Sequence, residues 1–297
     1  MCGVYARLMP SVSVIGWPYD LGRQGVGMAL GVGALLDDQE LLTAVEGHAG
    51  PLTVERVAAV DETLPEMARI FELDRRLAVA VADAKRDGSF PLVLAGNCIS
   101  CLGTVSGVRD GDRLGIVWLD AHADFDTPDD NLSGFSDVMG VSILTGGSWR
   151  ALRNTIPWFA PVEERNVVML GTRDLEPYQR ARLVASQVAV IAGKIDEQSH
   201  GAALRELAER VDGIYLHVDL DVLDTSVGSA NGYAAPGGPD LDTVLAVIRQ
   251  TFDAIAVKAA ALTAYDPAYD CDSGVLRAAR QIAAEISRGV ERQSDGC

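Results

Sequence analysis

The sequence predicts an α/β protein with a central, mainly parallel sheet, and three observations lead to that fold class. Short apolar runs recur along the chain, segments with apolar residues at helical spacing separate them, and no internal repeat or charged linker interrupts the alternation. Continuous apolar runs are typical of parallel strands, because helical crossovers cover both faces of a parallel sheet. Since the alternation covers the whole chain, we predict a single domain over residues 1–297.

The predicted elements follow from these runs. The strands are seven apolar segments: Val12–Trp17, Pro91–Ala95, Leu114–Leu119, Val167–Leu170, Val188–Ile191, Ile214–Val218 and Ala256–Leu262. Glu66–Arg86 and Leu241–Ile255 carry apolar residues at helical spacing, and Arg277–Arg288 does so less regularly, so we predict a helix over each. Ligands bind outside the carboxyl ends of the strands in an open parallel sheet, so residues just after the strands are the first candidates for a functional site.

The composition argues against two classes of partner. The chain has 42 acidic residues against 25 lysines and arginines, a net charge of −17, whereas nucleic-acid binding and attachment to anionic lipid both need clustered basic residues. We see no signal peptide and no run of about eighteen apolar residues. The five cysteines are an odd number: Cys2, Cys98, Cys101, Cys271 and Cys297. We therefore expect a cytoplasmic protein without membrane contact, without a disulfide framework and with cationic ligands.

Two acidic clusters follow predicted strands and have the residue types of a two-metal site. Asp-Ala-His-Ala-Asp occupies residues 120–124, after Leu114–Leu119, and Asp-Leu-Asp occupies residues 219–221, after Ile214–Val218. The candidate ligands in these clusters are Asp120, His122, Asp124, Asp219 and Asp221. Carboxylates with one imidazole suit Mn²⁺, and also Fe²⁺, Ni²⁺ or Zn²⁺, and a shared carboxylate can hold two ions about 3.5 to 4 Å apart. The alternative explanation is that these aspartates cap helices or form turns.

Five motifs together resemble those of the ureohydrolase family, which includes arginase and agmatinase. They are Val14-Ile15-Gly16-Trp17-Pro18, Leu94-Ala95-Gly96-Asn97-Cys98-Ile99-Ser100 for the family's L-G-G-D-H-S-I, Asp120 to Asp124 for D-A-H-x-D, Gly171-Thr172-Arg173-Asp174 for G-x-R-D, and Asp219-Leu220-Asp221-Val222-Leu223-Asp224 for D-x-D-x-L-D. The resemblance implies a three-layer α/β/α fold, a homo-oligomer (trimer or hexamer) and two Mn²⁺ ions. It also implies that a metal-bound hydroxide attacks the guanidinium carbon of a small cationic substrate and releases urea.

The resemblance also assigns the ligands residue by residue. It implies a first ion held by Cys98, Asp120, Asp124 and Asp219. It implies a second ion held by Asp120, His122, Asp219 and Asp221, so that Asp120 and Asp219 bridge the two ions. Asp124 and Asp137 are the candidate catalytic carboxylates, which stabilise reacting groups and shuttle protons in such a mechanism.

The chain departs from the family pattern at Cys98, where the family has a histidine ligand. Thiolate is softer than imidazole and favours Zn²⁺, Fe²⁺ or Ni²⁺ over Mn²⁺. Family members with cysteine at this position exist, among them an amidinohydrolase that acts on N-hydroxyarginine in D-cycloserine biosynthesis, and the chain is similar to that subgroup also in Asp124-Phe125 and Thr127-Pro128. We predict that Cys98 is a ligand; the alternatives are a buried structural thiol and a redox pair with Cys101.

Further departures concern catalysis and the substrate. Asp137 stands where arginases have a proton-transfer histidine, and it is either a proton relay with a raised pKa or an acid at the N-terminus of a helix. Asp126 and Phe135 align with two asparagines that bind the α-carboxylate of arginine, and neither suits an anion, so free L-arginine is not the predicted substrate. Glu176 aligns with an acid that binds the substrate's α-amino group; otherwise it is a solvated loop acid.

The guanidinium-binding glutamate of the family aligns with Ala264. Asp266, two residues further on, is a candidate substitute, although an aspartate before Pro267 is also typical of a turn. We predict a divergent ureohydrolase-like metallohydrolase that cleaves a non-peptide C–N bond in a guanidino, amidino or related cationic compound. The two alternatives are a ligand-binding protein with an incomplete metal site and an amide or formimino hydrolase.

Overall fold

The computed structural model describes residues 10–109, 111 and 113–295, so Cys2 and Cys297 lie outside the described residues. Its strands are β1 (Ser11–Trp17), β2 (Leu52–Arg56), β3 (Ser89–Ala95), β4 (Leu114–Leu119), β5 (Val167–Leu170), β6 (Ala189–Ile191), β7 (Gly213–Asp219) and β8 (Val257–Thr263). These strands form one sheet with the order β2-β1-β3-β8-β7-β4-β5-β6, and every pair of neighbours is parallel. The predicted α/β class with a parallel sheet is confirmed.

The seven predicted strands are all present, and β2 is an additional one. Its sequence, Leu-Thr-Val-Glu-Arg, is short and is not a continuous apolar run, which is why the sequence did not predict it. Four of its five residues are exposed. β2 lies at the edge of the sheet beside β1, where a strand needs no apolar cover on both faces.

Helices occupy most of the connections between strands. They are α1 (Met28–Leu36), α2 (Gln39–Ala49), α3 (Glu66–Arg86), α4 (Cys101–Val108), α5 (Gly140–Leu144), α6 (Arg150–Arg153), α7 (Pro177–Ala185), α8 (Glu197–Ala208), α9 (Leu241–Ala254) and α10 (Gly274–Asp295). The three predicted helices correspond to α3, α9 and α10, and α3 has the predicted bounds. In the described part of the chain, no helix combines the length and the apolar character needed to cross a membrane.

The helices pack on both faces of the sheet and bury two separate apolar cores. Successive residues of a strand point to opposite faces. In β4, Val117 and Leu119 belong to the core that also contains residues of α9 and α10, whereas Ile116 and Trp118 belong to the core with α3 and α4. The fold therefore has the three layers, α/β/α, that the resemblance implied.

The strand order places four carboxyl ends side by side at the centre of the sheet. The chain passes from β3 to β4 and later returns to insert β7 and β8 between them. The register pairs Asp219 at the end of β7 with Thr263 at the end of β8, and Thr263 with Ala95 at the end of β3. Asp120 follows the last residue of β4, which pairs with the residue before Asp219. The residues after these four strands therefore surround one crevice, where open parallel sheets bind ligands.

Candidate metal centre

An acidic cavity of about 530 Å³ lies at these four strand ends. Seven carboxyl groups line it: those of Asp124, Asp126, Asp137, Asp174, Glu176, Asp219 and Asp221. Among its described lining residues there is no lysine or arginine, and His122 is the one histidine. A concave surface with this charge concentrates cations, either metal ions or a cationic substrate.

Asp120 and Asp219, the predicted bridging residues, are held in the same way at the ends of β4 and β7. Each carboxylate accepts a hydrogen bond of 2.7 Å from the backbone N–H two residues further on, donated by His122 and Asp221 respectively. Such turns are a local property of aspartate, and here they fix the orientation of both carboxylates. Both side chains are buried, so the turns present their oxygens to the interior of the site and away from water.

His122 lies between two acids of the predicted second-ion set. Its Nδ1 is 3.3 Å from Asp120 Oδ1 and 3.3 Å from Asp221 Oδ2. Donor atoms of the three residues lie within 4.8 Å of one another, so the structure brings together three of the four predicted ligands of the second ion. Although burial opposes both charges, the contact raises the pKa of His122 and lowers the pKa of Asp221.

Cys98 lines the cavity at the start of the helical turn that follows β3. Its buried thiol donates a hydrogen bond of 2.9 Å to Asp219 Oδ2, and the sulfur lies 3.2 Å from Thr263 Oγ1. Burial, and then the nearby Asp219 carboxyl, raise the pKa of the thiol well above its ordinary value. Cys101 is also buried, and both thiols are free.

His217, which the sequence reasoning missed, lies beside Cys98. It is fully buried in β7, and its ring stacks on Trp118 with the ring centroids 3.5 Å apart. Its Nδ1 is 2.8 Å from the Tyr215 hydroxyl, and its Nε2 is 3.2 Å from Thr263 Oγ1. Strand alternation could have identified it: His217 stands two positions before Asp219, so both side chains lie on the same face of the sheet.

Burial raises the pKa of four acids in and around the centre. The pKa of Asp120 rises to about 6 and that of Asp137 to about 7, while those of Asp124 and Asp219 rise well above the ordinary range. Neighbouring carboxyl groups add to the effect of burial at all four positions. Buried carboxylates need a compensating cation, and oxygen, imidazole and thiol donors are the ligands of first-row divalent ions. The residues present therefore fit a divalent metal centre.

Asp137 and Asp124, the two candidate catalytic acids, both line the cavity. Asp137 lies in the helical turn Ser136–Met139 and accepts a hydrogen bond of 2.7 Å from the backbone N–H of Ile99. This contact places its carboxylate at the amino end of the segment that leads into α4. Its pKa of about 7 is also the property that a proton relay requires.

Asp126 and Phe135 line the cavity, and Asp126 contacts the first turn of α7. The buried carboxylate of Asp126 accepts hydrogen bonds from the Gln179 side chain at 3.1 Å and from the Tyr178 hydroxyl at 3.0 Å. Phe135 stacks on Tyr233, with ring centroids 5.2 Å apart. The structure thus places a carboxylate and an aromatic face on the wall of the cavity.

Ala264 and Asp266 supply no carboxylate to the cavity. Ala264 lines it with a methyl group and has a positive φ of 62°. The Asp266 side chain accepts a hydrogen bond of 3.0 Å from the Ala268 N–H, and Asp266 is not among the lining residues. We therefore correct the prediction that it substitutes for the guanidinium-binding glutamate, because it is a turn residue. Glu176 is exposed at the start of α7 and does line the cavity.

Arg173, in the G-x-R-D motif, holds the loop that carries Asp221. Its half-buried guanidinium donates hydrogen bonds to backbone carbonyls of six residues: Gly171, Asp221, Val222, Leu223, Ala235 and Pro236. A guanidinium has five N–H groups in a rigid plane, so it can serve several carbonyls at once. Arg173 therefore fixes the backbone after β7, where the predicted second ion has a ligand.

The parallel sheet and the donor groups at its strand ends define an α/β protein with a candidate metal centre. The model of the Arginase family matches residues 10–288, and the chain belongs to that family. It is 29% identical over 245 residues to an arginase of Bacillus caldovelox, covering 77% of this chain and 82% of that protein. It is 27% identical over 273 residues to an arginase of Bacillus subtilis, covering 88% and 92%.

The structural comparison agrees with the family match. The crystal structure of an arginase from Bacillus subtilis superposes with a TM-score of 0.80 and 25% identity, covering 93% of this chain and 98% of that one. Members of the family are metal-dependent hydrolases that act on C–N bonds. The family match therefore supports a hydrolase that acts on C–N bonds.

Proposed function

We propose that this protein is a metal-dependent hydrolase that cleaves a non-peptide C–N bond in a small cationic guanidino or amidino compound. The observation that supports it most is the convergence of carboxylate, imidazole and thiol donors from β3, β4 and β7 on one acidic cavity. Four aspartates that merely cap helices or form turns would not need to be buried together, as Asp120, Asp124, Asp219 and Asp221 are. Their shared burial favours the metal-site explanation over the turn explanation.

Two divalent ions are assigned to this centre, Mn²⁺ first, with Fe²⁺, Ni²⁺ or Zn²⁺ as the alternatives that Cys98 favours. The first ion is assigned to Cys98, Asp120, Asp124 and Asp219, and the second to Asp120, His122, Asp219 and Asp221. Bound there, such ions supply a water molecule activated at neutral pH. The C–N bond breaks as the water oxygen bonds to the carbon, and the leaving nitrogen needs a proton. Asp137, with a pKa of about 7, is the group that can hold that proton and deliver it.

The cavity also limits the substrate. Its seven carboxyl groups favour a cation, and the stacked pair Phe135 and Tyr233 offers an aromatic face to a planar cationic group. Asp126 would repel an α-carboxylate at the position where arginases bind one. Free L-arginine is therefore a poor substrate in this proposal, and a guanidino or amidino compound without that carboxylate is a better one.

Metal analysis and a substrate panel test the proposal together. Protein loaded with Mn²⁺ or Zn²⁺ should retain about two ions per chain after gel filtration and should release urea from one or more guanidino compounds. The double variant Asp120→Asn/Asp219→Asn, which removes both predicted bridges, is the control and should retain no ions. Less than about one ion per chain, with no urea from the panel, would instead support a ligand-binding protein with an incomplete site.

A second candidate reaction is hydrolysis of an amide or formimino C–N bond. The observation that favours it is Ala264, which gives the cavity a methyl group where the family has the guanidinium-binding glutamate, while Asp266 lies in a turn outside the cavity. Such substrates release ammonia or an amine without urea. Measuring ammonia and urea in the same reactions separates the two candidates.

We also propose that the protein is a cytoplasmic homo-oligomer, a trimer or a hexamer. The support is family membership, because Arginase family proteins are usually oligomeric. Light scattering coupled to gel filtration measures the mass in solution. A mass equal to one chain would contradict the proposed assembly and would leave the proposed chemistry unchanged.

A further inference from the structure

We infer that His217 is a metal ligand, and that it holds the ion on the Cys98 side of the centre together with Cys98 Sγ and a carboxylate oxygen of Asp120. This assignment rests on the proposed function, since it needs a metal ion at the centre. It adds a ligand from within β7 to those that the motifs contribute. It also specifies the chemistry of that ion, which would have one thiolate, one imidazole and carboxylate ligands.

The position of His217 supports this assignment. Donor atoms of Cys98, Asp120 and His217 lie within 4.8 Å of one another, and all three side chains are buried. The Nε2 atom is 3.2 Å from Thr263 Oγ1, and the same hydroxyl is 3.2 Å from Cys98 Sγ. The imidazole nitrogen and the sulfur therefore face the same small region between β3 and β7. An ion bound there would replace the Thr263 hydroxyl as the partner of both atoms.

The surroundings of His217 fit a ligand. Histidines that bind metals usually make a hydrogen bond through the other ring nitrogen, which fixes the ring and its tautomer. Here the Nδ1 atom has the Tyr215 hydroxyl at 2.8 Å, and Trp118 stacks on the ring at an interplanar angle of 4°. Trp118 also donates a hydrogen bond of 2.9 Å to Asp120 Oδ2, so one side chain orients two of the three donors.

The composition of the site explains why an imidazole is useful here. Cys98 stands where the family has a histidine ligand, and without His217 the Cys98-side ion would have only a thiolate and carboxylates. A neutral imidazole adds a donor without adding negative charge to a cluster that already contains several buried acids. Thiolate with imidazole is a donor combination that suits Zn²⁺, Co²⁺ or Fe²⁺ better than Mn²⁺. His217 thus restores a nitrogen donor to this side of the centre from a neighbouring strand.

The test counts imidazole ligands in the wild-type protein and in a histidine variant. Protein loaded with Zn²⁺ to two ions per chain is examined by X-ray absorption, which gives the average number of imidazole and sulfur ligands per ion. His122 and His217 together predict about two imidazoles and one sulfur per chain, with Zn–N distances of about 2.0 to 2.1 Å and Zn–S of about 2.3 Å. His217→Gln should lose one imidazole and bind the Cys98-side ion at least about a hundredfold more weakly.

His200→Gln is the matched control, because His200 is also buried but lies in α8, with its Nδ1 2.9 Å from the Asp196 carbonyl. This variant should keep both ions and the wild-type imidazole count. One imidazole per chain in the fully loaded wild-type protein would overturn the assignment even if His217→Gln does not fold. Two ions per chain with that single imidazole would leave the proposed function standing, whereas failure of the wild type to bind any ion would overturn both.

Discussion

Replacing Arg173 with lysine should destabilise the protein and also lower its affinity for the second of the two proposed metal ions. The six carbonyls that Arg173 contacts, at donor–acceptor distances of 2.7 to 3.3 Å, belong to Gly171, to residues 221–223 and to a second loop at residues 235–236. Lysine keeps the positive charge but offers three N–H donors from one nitrogen in place of five from three. The variant therefore tests the shape of the guanidinium and leaves its charge unchanged.

The magnitude follows from the donors lost. At least two N–H···O=C bonds disappear, and each contributes roughly 1 to 1.5 kcal/mol when the donor is charged and partly buried. We expect the free energy of unfolding of Arg173→Lys to fall by about 2 to 3 kcal/mol, with a lower midpoint in urea. Because the same bonds hold the backbone of Asp221, affinity for the second Zn²⁺ ion should fall by about tenfold or more.

Urea unfolding followed by circular dichroism, and competition with a chelator, measure the two effects. Arg113→Lys is the control, because Arg113 is exposed and pairs only with the exposed Asp212 in the described structure. Its free energy of unfolding should change by no more than about 0.5 kcal/mol. A loss below about 0.5 kcal/mol in Arg173→Lys, with unchanged metal affinity, would refute the reasoning that this guanidinium holds the metal-binding loop.

Three further predictions concern the cavity. Cys98→Ser should abolish the cobalt–thiolate charge-transfer band of the Co²⁺-loaded protein, and the control variant Cys101→Ser should keep it. A band that survives in Cys98→Ser would mean that a different cysteine binds the ion. The pKa of Asp137 is about 7 in the folded protein and 3.8 in an ordinary aspartate, so between these values the folded protein binds a proton there that the unfolded chain releases. The contribution of Asp137 to the free energy of unfolding should therefore fall as the pH rises from about 4 to 7. Urea unfolding of the metal-free protein should show that fall relative to Asp137→Asn, and parallel pH profiles would contradict it. Asp126→Asn should raise, by about tenfold, the kcat/KM for guanidino compounds with an α-carboxylate relative to those without one; an unchanged ratio would show that Asp126 does not face that group.

Much of the fold was predictable because six of the described strands are almost wholly buried. Seven of the eight strands are apolar runs with clear ends, and α3 shows helical periodicity over all of Glu66–Arg86. The exception, β2, is an exposed edge strand, so burial left no mark on its composition. Local pattern therefore predicts the continuous apolar strands and the long periodic helix, and it misses the exposed strand β2 and the short, wholly buried helix α4.

The candidate site was predictable where its donors are near one another in sequence. Residues 120–124 and 219–221 can be recognised from the sequence because aspartate and histidine cluster there, directly after a strand. His217 lies two positions before the second cluster, so strand alternation places it on the same face as Asp219, but a lone histidine inside an apolar strand is also typical of a core residue. The sequence signal at Asp266 was misleading. Its distance of two residues from Ala264 suggested that both side chains lie on the same face of a strand, whereas the chain turns there and the carboxylate accepts a hydrogen bond from the Ala268 N–H.

Residues close together in the chain form the strands, the two acidic clusters and the family motifs, so these features could be recognised without the fold, and the excess of negative charge follows from composition. Which strand ends meet depends on the order of the strands in the folded sheet. The insertion of β7 and β8 between β3 and β4 brings Cys98 to within 2.9 Å of Asp219, and places His217 beside it. Cys98 is more than a hundred positions away from both of these residues, and its proximity to them depends on sheet order, which hydrophobic periodicity does not encode.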